Sequence, residues 1–98
     1  MNDNLLADII IEQLGYNKFV AMTGAKFTPT YNGVSVHLPR SAKDGIKKIN
    51  INYTHDLYEV IFLRLRGKKE VAVKEFKDVF SFQLLKLIEN HTGLKTSL

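Results

Sequence analysis

Apolar residues change their spacing along this chain from helical to alternating and back again, and that change predicts the architecture. Leu5, Leu6, Ile9, Ile10 and Leu14 recur at helical intervals, with Asp8, Glu12 and Gln13 free to face water. They predict a short helix over residues 4–14, with Asn2 or Asn4 as N-cap and Gly15 just past its end. Residues 18–23 read as a strand broken by Gly24. Asn32-Gly33 is the strongest turn signal, because that pair readily takes two positive φ angles in a tight hairpin. Its return arm alternates, with Val34, Val36 and Leu38 on one side and Ser35 and His37 on the other. Pro29 in the outgoing arm lacks an N–H and suits an edge strand.

After a polar crossover from Pro39 to Gly45, a strand is expected at 46–53, with Ile49, Ile51 and Tyr53 inward and Lys48, Asn50 and Asn52 outward. A turn at Thr54–Asp56 leads into a long strand at 57–66. Gly67-Lys68-Lys69 turns again, and 70–76 supplies a further strand through Val71, Val73 and Phe76. The last element is a helix from Asp78 or Ser81 to about Asn90. Its broad apolar arc is Phe80, Phe82, Leu84, Leu85, Leu87 and Ile88, and Gly93 and Leu94 form its cap. The order implies one α+β domain over residues 1–98: an antiparallel, five-stranded, meander-like sheet flanked by a short N-terminal helix and a C-terminal helix. Short connections argue against a parallel Rossmann-like fold. They leave an open sheet and a curled one both compatible.

Charge changes this picture in one place. Residues 1–39 carry two Lys against Asp3, Asp8 and Glu12, a net −1, whereas residues 40–77 carry ten Lys or Arg against five acids, a net +5. Residues 78–98 balance, so the middle holds the whole excess of a chain with formal charge +4. Such a segment attracts a polyanion or an acidic protein partner, although solubility is an equally good reason for it. Cysteine is absent, which excludes disulfides and thiolate metal sites and fits a reducing cytoplasm. No apolar run approaches the roughly 18 residues of a membrane span, and Met1–Asn4 lacks a signal-peptide pattern.

Catalytic motifs are missing. His37, His55 and His91 lie on a strand, in a turn and near a helix end, without metal-ligand spacing. Ser35 and Ser81 sit outside any nucleophile elbow, and Ser81 reads as a helix cap. Asp56, Glu59 and Glu75 supply paired carboxylates for acid–base chemistry only if the sheet brings them near one another. Gly24, Lys26 and Gly33 do not compose a phosphate loop. No catalytic residue, metal or cofactor is therefore assigned.

The candidate recognition patch joins Arg64, Arg66, Lys68 and Lys69 to Lys47 and Lys48 across a hairpin turning at residues 54–56. Its cations neutralise phosphates, and Tyr58 and Phe62 stack bases if they are exposed. Tyr58, Val60 and Phe62 share the side of Arg64 and Arg66, so the competing expectation is that these rings are core and the basic heads reach solvent past its rim. A non-enzymatic nucleic-acid-binding protein, taking single- or double-stranded nucleic acid, is the first functional expectation. The second is a protein-interaction module without nucleic-acid contact, either a small inhibitor or a homodimer using the hairpin at 27–38 or the last helix.

Three stretches also carry a resemblance: Gln13-Leu14-Gly15 with Phe19–Lys26, Asp56-Leu57-Tyr58-Glu59-Val60, and His91–Leu98. Across most of its length the chain resembles small uncharacterised proteins encoded by bacteriophages and bacterial mobile elements. Many of those proteins carry an aromatic residue where this chain has Lys95. The resemblance implies a phage or mobile-element context, in which nucleic-acid binders and inhibitors of host systems are common, and brings no residue roles with it.

Overall fold

The computed structural model describes residues 3–15, 20, 23–54 and 56–93, and of residues 3–7 and 13 the backbone alone. Helix α1 spans Asp3–Leu14, followed by strands β1 (Lys26–Thr30), β2 (Gly33–His37), β3 (Ile46–Thr54), β4 (Leu57–Arg66) and β5 (Lys69–Val79), and helix α2 (Leu84–Thr92). The strands pair in sequence order, each antiparallel to the next, as one open five-stranded sheet. The fold is α+β with a helix near each end of the chain. The smallest dimension, 21 Å, corresponds to one layer of sheet and one of helix.

Alternation sets which face is covered. Val34 and Val36 of β2, Ile49 and Ile51 of β3, and Tyr58, Val60 and Phe62 of β4 point to one side and are buried. Cross-strand register makes them a continuous apolar field, with Val34 opposite Ile51 and Ile51 opposite Val60. Ile10 and Leu14 of α1 and Leu84 and Ile88 of α2 close over it in a single core. Both helices thus lie on the same face. The opposite face is polar along its middle, where the buried Ser35 hydroxyl donates to Asn50 Oδ1 at 2.7 Å and Asn52 Nδ2 donates to Glu59 Oε1 at 3.3 Å.

Several sequence expectations need correction. Within α1, Ile10 and Leu14 are buried and Ile11 half-buried, but Ile9 is exposed, so the apolar stripe is narrower than the spacing suggests. Asn4 lies inside the helix rather than at its cap; Asn2 is outside the described residues. The strand expected at 18–23 falls mostly outside them as well. Val20 and Thr23 are described and helical, with the Gly24 N–H donating to the Val20 carbonyl.

The first hairpin turns at Tyr31-Asn32, not Asn32-Gly33, and neither turn residue has positive φ. Gly33 instead opens β2, where Thr30 and Asn52 flank it. Its missing side chain admits β3: a Cβ there would collide with the Ile51 carbonyl group and lie 2.9 Å from Asn52 Cα.

At the far end, residues 81–83 form a 3-10 turn before α2, so Phe80 and Phe82 leave the apolar face and are exposed. Ser81 makes no side-chain cap; the Phe80 N–H donates to Gln83 Oε1 at 3.0 Å. Gly93 ends α2 in the left-handed region at φ 72°, as its place after the apolar arc predicts. Leu94 is outside the described residues.

His91 is packed into the edge of this core rather than set in solvent. Its ring centroid lies 4.7 Å from that of Phe76 and 5.5 Å from that of Phe62, with Lys74 Nζ 3.4 Å from Nδ1. Burial, then the charges of Lys74 and Lys43, hold its imidazole below the ordinary 6.5. The folded protein therefore resists protonating it, and the unfolded chain binds more protons just below that pH. Stability due to the neutral ring is full above pH 6.5, declines as pH falls toward the lower folded-state value, and then levels off. Melting temperature measured between pH 7.5 and 5 should fall on acidification, and His91→Gln should flatten that dependence.

Candidate nucleic-acid interface

The basic region forms where two strands outrun their neighbour. β3 begins at Ile46, opposite Arg64, so Leu65–Arg66 and Lys69–Glu70 pair only with each other. Gly67, at φ 65°, and Lys68 join them. Arg66 stands directly opposite Lys69, and Arg64, two residues back along β4, shares their side. All of residues 64–70 are exposed. The stem of Arg64 runs past Gly45, where an added Cβ would come within 3.0 Å of Arg64 Cδ. No carboxylate among the described residues pairs with Arg64, Arg66, Lys68 or Lys69.

This side continues the buried face of β4, so the tip and the core share one strand surface. Tyr58 is 3% exposed and Phe62 is fully buried. Tyr58 packs edge-on against Tyr53, and Phe62 against Phe76. Neither ring can stack on a base, which corrects their assignment as stacking residues: both are buried in the core that Leu84 and Ile88 of α2 share, and Phe62 lies beside His91.

Lys47 and Lys48 also leave the cluster. A β-bulge between Ile46 and Lys48 shifts the register of β3, and Lys47 Nζ donates to the Pro39 carbonyl at 2.7 Å. Lys48 stands opposite Leu63 on the other face, where it pairs with Glu70 at 2.6 Å. That ion pair also occupies the carboxylate closest in sequence to the tip.

Lys74 and Lys43 also join the cationic side, although the sequence pattern does not single them out. Lys74 stands opposite Phe62, and both lysines act electrostatically on His91. A register shift between Phe62 and Leu63 leaves Val73 as the extra residue in β5. Strict alternation from Val71 gives Lys74 to the opposite face. The break in that alternation at Phe76 was the available signal.

The carboxylates do not assemble for acid–base work. Glu59 accepts from Asn52, Asp56 accepts the Tyr53 hydroxyl hydrogen bond at 2.8 Å, and Glu75 stands opposite Ile61. Among the described residues no group of three or more His, Asp or Glu side chains converges; His55 lies outside them.

A second exposed surface is aromatic. Phe80 and Phe82 stack at 5.5 Å with 12° between their planes and are 50% and 80% exposed. Phe82 borders an open cleft of about 480 Å³ that Lys77, Val79, Lys86 and Leu87 also line. It lies at the Tyr58 end of the sheet, because Val79 stands opposite Tyr58. No family model, curated protein or solved structure matches the chain. Among the described residues no helix is long and apolar enough to cross a membrane.

Proposed function

We propose that this chain is a non-enzymatic nucleic-acid-binding accessory protein that grips phosphates with the β4–β5 tip. The observation that carries the reading is Arg66 facing Lys69 beside Arg64, with no carboxylate among the described residues paired to them. Like charges directly opposite in an antiparallel pair destabilise a hairpin. A small domain gains nothing for its fold from this arrangement, whereas an anionic ligand turns the repulsion into binding. Nucleic acid supplies closely spaced negative charges and releases counterions when they are neutralised. The phage or mobile-element setting implied by the sequence resemblance is compatible with such a role. Contact through backbone charge replaces the base stacking expected from Tyr58 and Phe62.

The test is fluorescence anisotropy of labelled oligonucleotides titrated with the protein across a salt series. Affinity should fall steeply with salt. Replacing Arg66 and Lys69 by Gln should weaken binding on the order of tenfold and reduce the log–log salt slope by about two. Circular dichroism should stay native-like, since both side chains are exposed. Absence of salt-dependent binding to any oligonucleotide overturns the reading.

That outcome would favour the second reading, a protein-interaction module. Its support is the exposed Phe80–Phe82 pair beside a partly apolar cleft, an arrangement with the aromatic character of interface anchors.

A further inference from the structure

We infer that the ligand of the β4–β5 tip is B-form duplex DNA, entered through its major groove, rather than a single strand; this rests on the nucleic-acid reading above. The first argument is shape. Beyond Arg64 the tip is a two-stranded ribbon with no third strand beside it among the described residues. Its strands are about 4.8 Å apart before side chains are added. With side chains added the ribbon suits a major groove of roughly 12 Å, whereas a minor groove of roughly 6 Å would have to be widened to take it. The major groove of A-form RNA is deep and narrow, so an RNA duplex excludes the same ribbon.

The second argument is the location of the rings. Binding to single strands relies on cations interleaved with aromatic side chains that stack bases. Among the described residues the rings nearest the cations are withdrawn in whole or in part: Phe62 is fully buried, and Phe76 is half-buried against Phe62 and His91. The markedly exposed rings among the described residues are Tyr31, Phe80 and Phe82. Register puts all three toward the opposite end of the sheet, Tyr31 next to the Gly33–Asn52 pair and Phe80 after Val79, which faces Tyr58. The rise of β4 from Tyr58 to Arg66 separates the two ends by roughly 25 Å. A base held against those rings is out of reach of the tip.

The remaining tip residues agree with groove entry. Arg64, Arg66 and Lys69 form one cationic side, and Lys68 sits in the turn at the leading end. Leu65 alternates to the other side of β4 and is 46% exposed. In a major groove it offers an apolar contact for a thymine methyl, a group displayed only there. Glu70, opposite Leu65, would repel phosphates but is held by Lys48.

The deciding experiment measures the intact 98-residue chain against three labelled ligands of matched sequence: a 20-base-pair DNA duplex, the single DNA strand and the RNA duplex. All are titrated by anisotropy at low salt. The DNA duplex should bind at least tenfold tighter than either alternative. Methyl green, a major-groove ligand, should compete, and netropsin, a minor-groove ligand, should not. Equal or tighter binding of the single strand or the RNA duplex overturns the inference while leaving the nucleic-acid reading intact, as does competition by netropsin alone. Binding to none of the three overturns both. Leu65→Ser provides a readout that charge alone does not move: it should reduce the preference for duplex DNA over single-stranded DNA while the salt slope is retained.

Discussion

Replacing Gly33 by Ala should destabilise the protein by about 3 kcal/mol or more, a large share of the roughly 5–15 kcal/mol typical of a domain. The reason is backbone proximity. An added Cβ would collide with the Ile51 carbonyl group, its carbon 2.8 Å away, and would lie 2.9 Å from Asn52 Cα. A flexible side chain could rotate aside, but these atoms belong to a central strand paired on both edges. Relief requires β2 and β3 to move apart at their Gly33–Asn52 end, close to the bond from the Tyr53 N–H to the Asn32 carbonyl. Separation there also disturbs Val34 and Ile51, which are opposite each other in the core. Urea denaturation checks this prediction: the midpoint should fall sharply. An unchanged midpoint would show that β2 and β3 do not approach as closely as described.

The same glycine marks a boundary between what the chain reveals and what the fold adds. Asn32-Gly33 signals a turn, and a hairpin is present, but the glycine serves the sheet rather than the turn. Nothing within residues 30–34 tells which strand will press against position 33. β4 was legible to the residue because its apolar run ends at Arg64–Arg66 and turn chemistry follows immediately. The covered face was legible too, since period-two spacing settles which residues of β2, β3 and β4 travel together. Bulges were harder: one extra residue at Val73 moves Lys74 to the cationic side. Phe80 and Phe82 were assigned to the helical arc because a 3.6-residue period was carried through residues 81–83, where the backbone takes a 3-10 turn instead.

For the interface, sequence brought the tip cations together by proximity along the chain. Arg64, Arg66, Lys68 and Lys69 are joined by one short turn, so only the pairing register was needed to align them. Lys47 and Lys48 depended on longer-range geometry. A bulge and a cross-strand carboxylate claimed them, and neither was visible before β3 and β5 were placed on the two sides of β4. The competition between core and ligand for Tyr58 and Phe62 was decided by helix packing. Alternation gives a side but not what covers it.

Phe62→Ala should cost about 3–5 kcal/mol, the range expected when a buried phenyl ring leaves a cavity that its surroundings fill only in part. Phe62 is fully buried, meets Phe76 edge-on at a 6.0 Å centroid distance and lies against His91. Its loss opens the junction of β4, β5 and α2 together, so partial collapse cannot restore all these contacts. Phe62→Leu keeps the site apolar and most of its volume, and should cost less. The conservative variant also separates structure from recognition. If Phe62 is core alone, the leucine variant binds oligonucleotide with unchanged affinity under conditions where it remains folded, although its denaturation midpoint falls. Arg66→Gln should do the reverse, weakening binding with little change in stability, because its exposed side chain faces Lys69 instead of a carboxylate. Denaturation and anisotropy measured on both variants thus give opposite patterns along one strand face. A folded leucine variant with lost affinity would mean that the ring does reach the ligand, and would restore stacking to the binding mechanism.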